Sequence, residues 1–129
     1  METIFTKIIS GEIPCYKVAE DDRFLAFLDI NPNVPGHTLC IPKKEENKIF
    51  DLDEETYVEL MKFSRKVAQA LEKSVACKRI GMAVIGLEVP HVHVHLIPLN
   101  EMSNMDFSKK TPMTPDEFTR LAALINSNL

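Results

Sequence analysis

Between Pro90 and Pro98 the chain reads Pro-His-Val-His-Val-His-Leu-Ile-Pro, which puts His91, His93 and His95 at every second position. His37 is the only other histidine among the 129 residues. Imidazole is the one side chain whose ordinary pKa lies near neutrality, so it can serve as nucleophile, general acid or base, or metal ligand. Val92, Val94, Leu96 and Ile97 favour extended backbone, and a strand repeats its side-chain direction every second residue. The alternation predicts a strand over 89–97 with three imidazoles on one face and a buried apolar face opposite.

Geometry ranks the uses of such a face. Residues two apart in a straight strand lie about 6.6–6.8 Å from each other, so His91 and His95 are expected roughly 13 Å apart along the backbone. Zinc takes nitrogens at about 2.0–2.1 Å in a tetrahedron, which a linear array supplies only with a sharp bend or a ligand from elsewhere, so no metal site is expected. A merely polar strand face is more usually built from Lys, Thr and Glu. Catalysis ranks first, because neutral imidazole is a competent nucleophile toward phosphorus, and neighbouring imidazoles can hold its tautomer, bind phosphoryl oxygens and donate a proton. No cofactor is implied.

The elements that must position this strand are legible from periodicity. Ile4, Phe5, Ile8 and Ile9 recur at helical spacing before Gly11 and Pro14, predicting a short helix that stops at Gly11. Strands are expected over 16–20 and 24–28, joined by Asp21-Asp22 as a hairpin, and over 37–42, opened by His37 and closed by Pro42. An apolar stripe from Leu52 through Leu60, Val67 and Leu71 to Val75 predicts a long helix over about 52–76 with Asp53 as N-cap. Strands at 80–85 and 89–97 follow, then a polar connection over 101–112 without periodicity. Thr114-Pro115-Asp116-Glu117 is a capping box that starts a C-terminal helix. Strands in runs, with few helices between them, predict an α+β domain with a mainly antiparallel sheet.

Composition sets the class of partner. A chain of this length with 45% hydrophobic and 26% charged residues is expected to be one soluble domain, residues 1–129. A net charge of -4 and a pI near 5.5 argue against a nucleic-acid or anionic-membrane footprint and leave a small ligand. The N-terminal residues carry no basic, apolar leader pattern and no apolar run is long enough to span a bilayer, so a cytoplasmic protein is expected. Cys15, Cys40 and Cys77 form no Cys-x-x-Cys pair and are expected to be free, structural thiols.

His91-Val92-His93-Val94-His95-Leu96-Ile97 fits, at every position, the signature of the histidine triad family, His-φ-His-φ-His-φ-φ with φ apolar. The resemblance extends over residues 1–100 through Ile4-Phe5-Thr6-Lys7-Ile8-Ile9, Leu25-Ala26-Phe27-Leu28-Asp29-Ile30, Pro35-Gly36-His37 and Ile41-Pro42-Lys43-Lys44, and is nearest the nucleoside phosphoramidase branch. It implies a half-barrel of about five antiparallel strands with flanking helices, two copies of which pair into one continuous sheet. It also implies a hydrolase or transferase that cleaves the α-phosphate bond of a purine nucleotide conjugate through a nucleotidyl-histidine intermediate. By the same resemblance His93 is the nucleophile, His95 contacts the phosphate or leaving group, and His91 and His37 orient and relay protons. Asp29 holds the ribose hydroxyls, and Ile4, Phe5, Ile8, Phe27 and Ile30 form the base pocket. A dinucleoside polyphosphate hydrolase and a nucleotide-binding regulatory module are the alternatives.

Two departures stand out. Where relatives carry a Gly-Gln-Ser/Thr segment that holds phosphate, this chain has Gly86-Leu87-Glu88. Glu88 therefore either points to solvent or receives a cationic amine leaving group, in which case it belongs with the substrate-binding residues. Residues 101–129 also diverge, and the sequence leaves open whether Asn100, Met105 or Phe107 lines the leaving-group pocket.

Overall fold

The computed structural model describes residues 2–129. Among them, five strands form one antiparallel sheet: β1 (Lys17–Glu20), β2 (Phe24–Leu28), β3 (Thr38–Pro42), β4 (Arg79–Ala83) and β5 (Val94–Leu99), in the order β1-β2-β3-β5-β4. Three α-helices accompany them, α1 (Ile4–Ile9), α2 (Glu54–Ser74) and α3 (Pro115–Ser127), so the domain is α+β as expected. β1 and β2 are the expected hairpin, closed by Asp21, whose Oδ1 accepts from the amides of Arg23 and Phe24 at 2.8 Å each.

The sheet is buried on both faces, each by a different partner. Phe24, Ala26 and Leu28 of β2, Cys40 of β3 and Val94 and Leu96 of β5 pack with Leu60, Val67, Ala70 and Leu71 of α2. The alternate residues Leu25, Phe27, Leu39 and Ile41 pack instead with Phe5 of α1. Because side chains alternate along a strand, the second face is also the one that carries His95. Both helix starts read from sequence are present: Asp53 caps α2 through the Thr56 amide at 3.1 Å, and Thr114 and Glu117 form the reciprocal capping box of α3. α3 lies against β1 and α2, burying Phe118, Ala122 and Ile125 and donating from Asn126 Nδ2 to the Val18 carbonyl at 2.9 Å.

The expected strand over 89–97 is corrected. β5 begins only at Val94 and runs on to Leu99. Pro90 has no N–H for a ladder, the His91 amide bonds to the Val89 carbonyl at 2.9 Å, and the Val92 amide bonds to Glu46 at 2.8 Å. His91 and His93 therefore lie on irregular backbone, not in a straight row with His95. The strand expected at 80–85 likewise ends at Ala83, and the connection after Leu99 contains a 3-10 turn, Met102–Met105, that periodicity did not reveal. The three cysteines are free, and burial pushes the Cys40 thiol up to about 12. No helix among the described residues is long and apolar enough to cross a membrane.

Candidate active site

Strand pairing assembles the histidines. β3 lies beside β5 with Leu39 opposite His95, so His37, at the entrance to β3, meets His95 from 58 residues away. Gly36 lets the entrance to β3 pack closely on α2 and β5: its φ is +98°, and a Cβ there would sit 3.1 Å from carbons of Leu71, Val75 and Pro98. At the other end, Thr3 caps α1 through the amides of Phe5 and Thr6 and thereby sets Phe5 against the cluster. The Phe5 ring lies edge-on to His93 at 4.9 Å and to His91 at 5.9 Å, and His93 and His95 are 4.8 Å apart between ring centres.

Each tautomer follows from its fixed partners. The Asn33 backbone N–H donates to His37 Nδ1 at 3.0 Å, so that nitrogen is bare and the proton of neutral His37 is on Nε2. His37 Nε2 then donates to His95 Nδ1 at 2.9 Å, which leaves the His95 proton on Nε2. His93 Nδ1 donates to the His91 carbonyl at 2.7 Å, so His93 Nε2 carries a free lone pair. His91 Nε2 donates to the Pro42 carbonyl at 2.8 Å, which ties the turn before β5 to the end of β3. One bare nitrogen and one N–H donor on adjacent rings are the minimal parts for nucleophilic attack on an anionic phosphoryl centre.

Burial disfavours the charged form of three of the rings. Burial, with the field of His95 and Lys110, pushes His37 down to about 3, and burial with His93 and Lys110 takes His95 to about 4. Burial lowers His93 as well, opposed by its bond to the His91 carbonyl and by Asp29 and Glu88. Asp29 is raised by burial; its Oδ1 accepts from the Asn31 amide at 2.8 Å and its Oδ2 lies 3.6 Å from His37 Nε2.

Asp29, His37 and His95 each offer one ligand atom within 4.8 Å of the others, a possible cation site by distance alone. The hydrogen bonds oppose it. His37 Nε2 bears a proton that cannot move to Nδ1, because Nδ1 already accepts from Asn33, so a metal would have to capture His37 as an imidazolate.

The expected substrate residues divide. Phe5 and Phe27 are buried together on the histidine face, 5.7 Å apart edge-on, and Ile8 packs against the same cluster. Ile4 and Ile30 stand exposed and outside that packing. Glu88 is exposed, yet its charge reaches both Asp29 and His93. Of the three residues left open in the connection, only Phe107 reaches the histidines, edge-on to His95 at 4.9 Å and to His37 at 5.9 Å. Asn100 accepts from the Lys78 amide, and Met105 lies near Gly81 of β4.

Sequence reasoning missed Asn33 and Lys110. Asn33 is buried and uses every polar group: besides the bond to His37, its Nδ2 donates to the Asn104 carbonyl at 3.0 Å, its Oδ1 accepts from Lys110 Nζ at 3.0 Å, and its carbonyl accepts from Thr111 Oγ1 at 2.8 Å. The one local signal was an Asn in a Pro-rich turn, which reads as turn chemistry.

A buried cluster of four imidazoles on a five-stranded antiparallel sheet defines a histidine triad domain. The chain belongs to that family: the profile described as HIT domain matches residues 10–102. Over 133 residues it is 36% identical to the adenosine 5'-monophosphoramidase hnt1 of Schizosaccharomyces pombe, covering 100% of this chain and 99% of that one. An uncharacterized HIT-like protein of Borreliella burgdorferi is 35% identical over 99% of both chains. A solved Hit-like protein from Bartonella henselae superposes with a TM-score of 0.87 at 35% identity, covering 99% of this chain and 96% of that one.

Proposed function

We propose that this chain hydrolyses purine nucleotide conjugates at the α-phosphate, with a phosphoramidate as the preferred bond and His93 as nucleophile. The observation that carries the proposal is the His93 Nδ1 donation to the His91 carbonyl, which aims a bare, neutral Nε2 away from the backbone. The full-length likeness to an adenosine 5'-monophosphoramidase supports the choice of nucleotide and bond.

In this reading His93 Nε2 attacks the α-phosphorus, the bond to the leaving nitrogen breaks, and the nitrogen departs as the amine after taking up a proton. Water then displaces His93, returning a proton and releasing the nucleoside monophosphate. His95 Nε2–H hydrogen-bonds the phosphoryl oxygen or leaving atom. His37 orients His95 and does not complete a proton wire, because the wire would end at the Asn33 amide, which cannot release its proton. His91 ties the approach to β3. Asp29, half-buried beside His37, takes the ribose hydroxyls, and Phe5, Ile8 and Phe27, with Ile4 and Ile30 closing over a bound base, form the apolar side. Glu88 receives the amine of the leaving group.

Two copies are proposed to pair along β4, an edge strand that exposes Met82 and is followed by the exposed side chains Val84, Ile85 and Leu87. The chain is proposed to form one fold unit, and its free thiols fit a reducing, cytoplasmic setting.

The test is turnover of a fluorogenic adenosine phosphoramidate by the wild type and by His93→Ala, with the expected loss on the order of 10⁴-fold or more. Equal turnover by both would remove His93 from the chemistry. AMP binding without turnover of this substrate by the wild type would move the reading to polyphosphate substrates or to a nucleotide-binding regulatory module.

A further inference from the structure

The immediate surroundings of the four histidines pose an electrostatic problem for an anionic ligand. Burial disfavours the charged form of His37, His93 and His95, and the ionisable groups felt by His93 from neighbouring elements, apart from His91, are the carboxylates Asp29 and Glu88. A phosphoryl group entering here meets two like charges, and at short range such repulsion is unfavourable unless a cation offsets it. Among the described residues, Lys110 is the only Lys or Arg whose charge is felt by Asp29, His37 and His95.

Lys110 is also placed. Thr111 next to it is pinned by its amide to the Pro32 carbonyl and by its Oγ1 to the Asn33 carbonyl, both at 2.8 Å. Lys110 Nζ sits 5.5 Å from the centre of the Phe107 ring, and that ring lies against His37 and His95. Its hydrogen-bond partner is a neutral amide oxygen, Asn33 Oδ1, at 3.0 Å and not a carboxylate. An ammonium satisfied by a neutral acceptor keeps its charge available, and with three donors it can keep the Asn33 bond while taking an anionic oxygen.

We propose that Lys110 is the phosphoryl-binding cation of this site, brought to its His37–His95 side by the connection between β5 and α3 and oriented by Asn33 and Phe107. The inference rests on the nucleotide reading above and adds to it the residue that neutralises the ligand's phosphate. The same residue makes the connection between β5 and α3 part of the site.

The test compares AMP with adenosine, which lacks the phosphate, by calorimetric titration of the full chain as wild type, Lys110→Met and Lys110→Arg. Lys110 is exposed, so the fold should persist, and an unchanged thermal transition checks this. A lost charged hydrogen bond is expected to weaken AMP by about 10- to 100-fold in Lys110→Met, with adenosine changed by less than about 2-fold and Lys110→Arg recovering most of the loss. AMP bound equally by wild type and Lys110→Met, or adenosine lost in parallel, would overturn the proposal, as would a wild type that binds no AMP. The two readings fail separately: a wild type that binds AMP through Lys110 but turns over no phosphoramidate keeps the cation and loses the hydrolase, whereas His93-dependent turnover with AMP binding indifferent to Lys110 does the reverse.

Discussion

The backbone amide of Asn33 donates to Nδ1 of His37 at 3.0 Å, and through that one bond a residue in a turn dictates the tautomer of a histidine pair. His37 must then donate from Nε2 and His95 must accept at Nδ1, so the free N–H of His95 faces outward. Long-range ¹⁵N correlation spectra should show Nε2–H tautomers for His37 and His95 and an Nδ1–H tautomer for His93 at neutral pH. An Nδ1–H tautomer at His37 would contradict this arrangement.

Acid should destabilise the fold well above the carboxylate range. His37 and His95 have folded pKa values near 3 and 4, against about 6.5 in the unfolded chain, so between these values the unfolded state binds more protons. Their contribution is fully present above about pH 6.5 and is lost as pH falls toward the folded values, at about 2 kcal/mol for each histidine by about pH 5. Urea unfolding at about pH 7.5 and pH 5 measures it, and His37→Gln should flatten the dependence by about one histidine's share.

Activity should persist into mild acid. The nucleophile must be unprotonated, and burial lowers His93 from its ordinary value, so the acid limb of kcat/KM should fall below pH 6.5. Glu88 opposes that lowering, and its removal in Glu88→Gln should move the limb further down while tightening AMP by about 2- to 5-fold through lost repulsion. The same variant should lose preference for cationic amine leaving groups over neutral ones; an unchanged preference would free Glu88 from any role in recognition.

Asp29→Asn should weaken discrimination between ribose and 2'-deoxyribose substrates. A half-buried carboxylate accepting two hydroxyl hydrogen bonds is worth about 10- to 100-fold in kcat/KM, and the deoxy substrate should lose less than the ribose one. Equal losses on both would point to a purely structural role beside His37.

The C-terminal helix should be integral to stability. Ile125 is fully buried among α2 and β1 residues, and Ile125→Ala is expected to cost about 2–5 kcal/mol in chemical denaturation. A cost below about 1 kcal/mol would mean that α3 detaches without consequence.

Much of this molecule is written locally. The Asp53 and Thr114 caps, the stripe of α2, the Asp21 turn and the apolar run of β2 are patterns of near neighbours, whose physics is complete within a few residues. The histidine run pointed to a site, and the resemblance to a family named His93, His95 and His91 through the signature and His37 through Pro35-Gly36-His37. Sequence alone marked the histidines as groups able to do chemistry. Tertiary structure decided how they do it. Pro90 and the Glu46 carbonyl pull His91 and His93 out of the ladder, strand order sets His37 against His95, and Asn33 gathers Asn104, Lys110 and Thr111 from 71 to 78 residues away. Such partners have no period and no spacing to read, because hydrogen-bond direction and charge proximity between distant segments exist only after the chain has folded.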